Sequence, residues 1–161
     1  MAKTPAELLE KGFEEYIQEH LLNSGYVKGD PADYNREFAV DAKILFEFLE
    51  DTQPKKMEKL REIYKDQYRF KILSRLNREL NNRGMIDVLR HGIKDYGVYL
   101  DLAYFQPASK LNEEMVRLYK KNRISVTRQV RYSTKSENSI DMLICVNGLP
   151  AVVLELKNPF T

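Results

Sequence analysis

The stretch Ser139-Ile140-Asp141-Met142-Leu143-Ile144-Cys145-Val146-Asn147-Gly148-Leu149-Pro150-Ala151-Val152-Val153-Leu154-Glu155-Leu156-Lys157 decides how the chain is read. Two apolar runs flank Asn147-Gly148, a dipeptide suited to the positive φ angles of a tight hairpin turn, so two antiparallel strands are predicted. Ile140, Met142, Ile144 and Val146 share one face of the first strand. Ala151 to Lys157 is predicted as the second, apolar until its end. Upstream, Ile124, Val126, Val130 and Tyr132 alternate on one face together with Arg128, which adds a further strand. The last third of the chain therefore reads as a sheet.

The first half reads as helices. Thr4, Pro5 and Glu7 form a start signal with a cap, a proline in the first turn and a capping-box glutamate. Leu9, Phe13, Tyr16, Ile17 and Leu21 then recur at helical spacing, predicting a helix from Pro5 to Leu22 before Asn23-Ser24-Gly25. Asp41 is placed to cap a second helix with Ile44, Leu45, Phe48 and Leu49 on one face, ending near Thr52-Gln53-Pro54. A charged helical stretch from Lys55 to Arg83 follows, broken near Asp66 and stopped by Gly84. Short strands are expected at Lys94 to Tyr96 and Val98 to Tyr104, and a helix at Asn112 to Asn122 with Met115, Leu118 and Tyr119 inward. The fold class is α+β, a helical N-terminal half packed on a mixed or antiparallel sheet, and residues 1–161 are read as one domain.

Composition narrows the function classes. The chain has 161 residues, of which 43% are hydrophobic and 31% charged, a globular balance. One cysteine, Cys145, excludes an internal disulfide framework, and His20 and His91 stand apart from any zinc-type spacing. No run approaches the roughly eighteen apolar residues of a membrane span, and no secretory leader is evident, so a cytoplasmic setting is expected. The net charge of +2 is divided unevenly: residues 1–66 carry 10 Lys/Arg against 15 Asp/Glu, the remainder 16 against 9. Arg117, Lys120, Lys121, Arg123, Arg128, Arg131 and Lys135 fall between Met115 and Ser136 without an acidic residue. That run fits either a polyanion partner or a solvated basic face.

Asp141, Glu155 and Lys157 are the residues that a purely structural reading accommodates least. The hairpin carries all three to one end of the sheet, and the Glu-x-Lys spacing projects two charges from one strand face. Two carboxylates and a strand carbonyl such as that of Leu156 suit the oxygen-only, octahedral preference of Mg²⁺, and Lys157 is placed to orient or deprotonate a water. Such a set serves phosphodiester hydrolysis. The same residues also fit an edge ion pair that protects an apolar strand end. Spacing alone does not decide, since Asp41-Ala42-Lys43 has an analogous pattern but opens a predicted helix. A plain two-residue turn would pair Val146 with Leu149 and set Asp141 opposite Leu154, turning Glu155 away. The metal reading therefore requires one extra residue, in a three-residue loop or a bulge.

Several linked motifs then add a resemblance. Asn122-Arg123-Ile124-Ser125-Val126-Thr127-Arg128-Gln129-Val130-Arg131-Tyr132-Ser133, Ser139-Ile140-Asp141, Val146-Asn147-Gly148-Leu149-Pro150 and Leu154-Glu155-Leu156-Lys157-Asn158-Pro159 resemble, in that order, the N-terminal nuclease domain of the endonuclease (R) subunit of type I restriction enzymes. Thr52-Gln53-Pro54, Arg83-Gly84, Val88-Leu89-Arg90-His91-Gly92 and Leu102-Ala103-Tyr104-Phe105 are similar to it as well. The resemblance implies a PD-(D/E)xK nuclease core acting on double-stranded DNA, with Asp141 and Glu155 on Mg²⁺ and Lys157 serving the water. It also makes Glu14 of the first helix a further catalytic candidate. Arg128, Arg131, Lys135, Lys120 and Lys121 become candidates for phosphate contacts; the last four are better placed for it by phase or loop location, while Arg128, which interrupts an apolar face, is open instead to a buried carboxylate. Relatives continue into a helix with a Gln-x-x-x-Tyr motif and an ATP-driven translocase, and they work with modification and specificity subunits. No G-x-x-x-x-G-K-[ST] loop occurs here, so ATP belongs to the full-length subunit and the chain is expected to be an N-terminal piece without that helix or the motor. The other classes are a docking module for the restriction complex and a DNA-binding domain without chemistry.

Overall fold

The structure, a computed structural model, describes Ala2 and residues 4–157. The first helix forms where its start signal places it. In α1 (Pro5–Asn23), Thr4 and Glu7 close a capping box, with the Glu7 amide donating to Thr4 Oγ1 at 3.3 Å and the Thr4 amide to Glu7 Oε2 at 2.6 Å. Asp41 caps α2 (Ala42–Thr52) through the Ile44 amide at 3.0 Å. Its apolar face, with Leu45, Phe48 and Leu49 wholly buried, is the centre of the main core. The expected break near Asp66 is a short 3₁₀ turn, Lys65–Gln67, between α3 (Pro54–Tyr64) and α4 (Tyr68–Arg83). The small helix α5 (Met85–His91) follows directly after Gly84.

Three pairs of residues in this half are strands rather than helix or loop. β1 (Val27–Lys28) lies parallel to a strand of the C-terminal sheet, and β2 (Tyr34–Asn35) pairs antiparallel with β3 (Val40–Asp41). Two residues are too few for an alternating pattern to show; β1 is created by pairing with the C-terminal sheet, and β2 and β3 by pairing with each other across a short loop. β4 (Ile93–Asp95) and β5 (Val98–Leu100) make a separate hairpin. The expected strand to Tyr104 stops at Leu100, because the Gln53 side chain takes both main-chain groups of Asp101, donating to its carbonyl at 3.0 Å and accepting from its amide at 2.8 Å. Helix α6 (Glu113–Tyr119) is shorter than expected. Met115 and Leu118 pack on the main core, but Tyr119 is exposed.

The C-terminal sheet is mixed, in the order β1-β6-β7-β8, from β6 (Ile124–Arg131), β7 (Ser139–Val146) and β8 (Leu149–Leu154). One joint between it and the helices is the β7–β8 turn, which is buried. Asn147 and Gly148 have φ of +50° and +86°, as a primed turn demands. Asn147 accepts from the Arg123 amide at 2.7 Å, and its amide nitrogen donates to the Leu102 carbonyl at 2.9 Å and to Asn122 Oδ1 at 3.0 Å. Asn122 in turn holds both main-chain groups of Tyr104, at 3.0 and 2.6 Å. Gly148 accepts from the Asp41 amide at 2.9 Å, and a Cβ there would stand 2.5 Å from the Asp41 carbonyl oxygen and 2.9 Å from Leu45 Cβ. Only glycine fits both that approach and that φ. Leu149, next in the chain, is the sheet residue that enters the helical core.

Asn147→Ala strands a buried amide and a buried carbonyl, and its expected cost is roughly 3 kcal/mol, read as a lowered midpoint in chemical denaturation. Cys145 is fully buried, and burial first and the Asp41 charge second push its thiol up to about 12. It is therefore expected to resist alkylation in the folded protein and to react once the chain is unfolded.

Candidate active site

The turn holds two residues, yet the strands beyond it are not in simple register. Val146 pairs with Leu149 and Cys145 with Pro150, but Ile144 pairs with Val152, leaving Ala151 as an extra residue in β8. Pro150 has no amide hydrogen to give a ladder, a position where sheets tolerate irregularity. The bulge re-phases everything beyond it. Leu143 meets Val153 and Met142 meets Leu154, so the next step sets Asp141 against Glu155. Of the two routes to an extra residue, the chain takes the bulge and keeps the plain turn.

β8 ends at Leu154, three residues before the expected Lys157. In place of the ladder, the Leu156 amide donates to Asp141 Oδ2 at 2.8 Å. That bond fixes the Glu155-Leu156-Lys157 backbone to the Asp141 side chain. The Glu155 carboxyl titrates above its ordinary range, first because the strand end partly desolvates it and then because the Asp141 carboxylate lies beside it, with Lys157 acting in the opposite direction. Asp141, Glu155 and Lys157 are thus electrostatic neighbours, with Glu155 and Lys157 exposed and Asp141 half-buried.

Glu14 is not an exposed helix glutamate. It is 5% exposed, accepts from Arg128 Nε at 2.6 Å and faces Gln129 Nε2 at 3.1 and 3.4 Å, while Arg128 also stands 3.9 Å from Glu15. Glu14, Arg128, Gln129, Asp141 and Leu156 line one cleft of about 290 Å³, with Glu7, Glu10 and Lys11 of α1 completing it. Among the described residues no three His, Cys, Asp or Glu side chains stand close enough to share a metal ion. The side chains at the strand end that could hold a divalent ion are those of Asp141 and Glu155, while Glu14 is held by Arg128. Two neighbouring carboxylates whose charges oppose one another suit a hard divalent cation, which would relieve that repulsion.

The basic candidates are dispersed. Arg128 is the counter-ion of Glu14, the second of the two roles open to it from sequence. Arg131 pairs with Glu137, and Lys121 lies 3.3 Å from Asp51. Lys120 and Lys135 are exposed and without an ion-pair partner among the described residues. Lys120 and Lys121 precede β6 and so lie at its far end from Arg131, whose partner Ser139 opens the strand carrying Asp141. Tyr132 is exposed just past β6. Sequence reading missed Gln129, which carries no signal beyond being polar in an apolar alternation.

The fold is α+β with a mixed sheet, consistent with a nuclease-like class. Over residues 7–161 the sequence matches the family described as Type I restriction enzyme R protein N terminus, and the chain belongs to that family. No curated protein and no solved structure matches it. The chain is thus the N-terminal, endonuclease region of a restriction-modification R subunit. No helix among the described residues is long and apolar enough to cross a membrane.

The raised Glu155 carboxyl carries a stability consequence of definite sign. Protonated Glu155 is favoured by the folded state, so its contribution is complete below the unfolded carboxyl range near pH ~4 and is lost as pH rises through the folded value. Glu155→Gln is therefore expected to raise the melting temperature at pH 7 and to make no difference at pH 3, as followed by thermal denaturation at the two pH values without divalent metal.

Proposed function

We propose that this region hydrolyses phosphodiester bonds of double-stranded DNA in a Mg²⁺-dependent reaction at the end of the β7–β8 hairpin. The observation that carries the reading is the bulge at Ala151. Without it Asp141 would meet Leu154; with it the two carboxylates of the motif are in phase. A strand irregularity that brings together two mutually repelling carboxylates is hard to explain as packing, since like charges opposite one another destabilise a sheet.

In this reading Asp141, Glu155 and the main-chain carbonyl of Leu156 hold the metal. A bound magnesium ion supplies positive charge where the phosphorane charge develops. The Leu156 amide fixes Asp141 by its hydrogen bond, so the carboxylate and the following backbone move as a unit. Lys157, exposed beside Glu155, orients or deprotonates the attacking water and offsets phosphate charge. Glu14 serves from α1 across the cleft. Lys120 and Lys135, the candidates without ion pairs, contact phosphates most readily, while Arg131 and Lys121 first exchange their carboxylate partners for the DNA backbone. Such contacts give affinity without sequence readout, which suits an enzyme whose recognition belongs to another subunit.

Family membership supports a place in a restriction complex acting on DNA. Residues 1–161 act as one endonuclease domain alongside modification and specificity subunits, and cleavage is coupled to an ATP-driven translocase in the R subunit, in the cytoplasm. ATP chemistry lies outside this chain's own residues.

Asp141→Ala and Glu155→Ala, each in the assembled restriction complex, are expected to lower Mg²⁺-dependent DNA cleavage by at least about 100-fold, with ATP hydrolysis retained. Lys120→Ala is expected to weaken DNA binding modestly and to reduce its salt dependence. Cleavage retained at the parental rate in Asp141→Ala would overturn the assignment.

A further inference from the structure

Gln129 breaks two rules of the strand that carries it. Its φ is +52°, left-handed backbone that a non-glycine residue adopts only at a cost. Its neighbours nevertheless pair regularly, Arg128 with Met142 and Val130 with Ile140, so no residue is inserted and Gln129 lies across from Asp141. Alternation fails there as well. Val130 packs with Leu143 and Cys145, which stand across from Thr127 and Ser125, and so leaves the face it was expected to share with Val126.

The distortion frees an amide whose two ends are both used. Nε2 faces the Glu14 carboxylate, at 3.1 Å from Oε2, while Oε1 accepts from Ser139 Oγ at 3.0 Å. Arg128 holds Glu14 Oε1 at 2.6 Å, and Gln129 lies nearer the other oxygen, at 3.1 Å against 3.4 Å. One side chain thereby joins α1 to the first residue of β7, two positions from Asp141. Strain that persists beside a cleft of charged groups is more often part of the site than of the scaffold.

We propose that Gln129 is a positioning residue of the acidic site: its amide ties Glu14 to the start of β7 and sets how α1 lies against the Asp141 strand. This rests on the metal-dependent reading above. The main chain bears the strain and the amide does the positioning, so the two are separable by substitution. Gln129→Ala loses the amide and keeps the strain; Gln129→Gly loses both.

Mn²⁺ binding to the intact, DNA-free protein, measured by the electron paramagnetic resonance of free ion, tests this without any turnover. The site's share is the binding lost in Asp141→Asn. Both Gln129 variants are expected to weaken that share equally, by about tenfold, although the Gly variant melts several degrees above the Ala variant. Parental affinity in either variant, or affinity that follows the melting temperature, would overturn the positioning role while Asp141→Asn still removes bound Mn²⁺. Should Asp141→Asn remove none, the metal reading itself fails and takes this inference with it.

Discussion

The buried Asn147-Gly148 turn is the constraint on which the rest of the molecule depends. Hairpin tips normally face solvent, because their main-chain groups need partners. Here the Asn147 amide donates to the Arg123 carbonyl and the Gly148 carbonyl accepts from the Asp41 amide at the entrance to α2, while the Asn147 side chain bonds Arg123, Asn122 and Leu102. These bonds join the sheet to the helical core, with Leu149 inserted beside them. Any other residue pair would leave buried groups unmatched or drive a Cβ into Asp41 and Leu45.

A hairpin anchored so firmly at its tip transmits its register to its far end. Since Val146 and Leu149 are held in place, a change in count must arise along the strands, and it arises at Pro150-Ala151, where the ladder lacks a donor. The displaced residue costs pairing at the tip and delivers a carboxylate pair at the other end. There Asp141 spends one oxygen on the Leu156 amide, which ends the strand and stiffens the segment carrying Glu155 and Lys157. On the neighbouring strand, Gln129 and Arg128 commit Glu14 of α1 to the same cleft, so the helix is fastened to the sheet by charge and amide.

Much of this was legible in the sequence because the signals are local. The Thr4-Pro5-Glu7 start, the Asp41 cap, the interruption near Asp66 and the Asn147-Gly148 turn each depend on residues within one turn of chain, and each forms where it is read. Apolar alternation placed β6 and β7. The need for one extra residue between Asp141 and Glu155 could also be deduced, since it follows from counting. Beyond the reach of sequence were β2 and β3, too short to show a pattern, and features made by distant partners: the two-residue strand β1, the end of β5 at the Gln53 clamp, and the exposure of Tyr119.

The division at the site has the same cause. Residue type and order by themselves gave the acidic pair with its lysine, the hairpin that carries them and the family resemblance, because these are properties of neighbours along the chain. Tertiary structure alone decided that the extra residue is a bulge at Ala151, that Glu14 is buried against Arg128, and that Gln129 accepts a left-handed backbone to reach it. Those outcomes depend on which groups must share a proton donor or a counter-ion once water is excluded, and contacts spanning more than a hundred residues, such as Glu14 with Arg128, are settled only when the whole chain has packed.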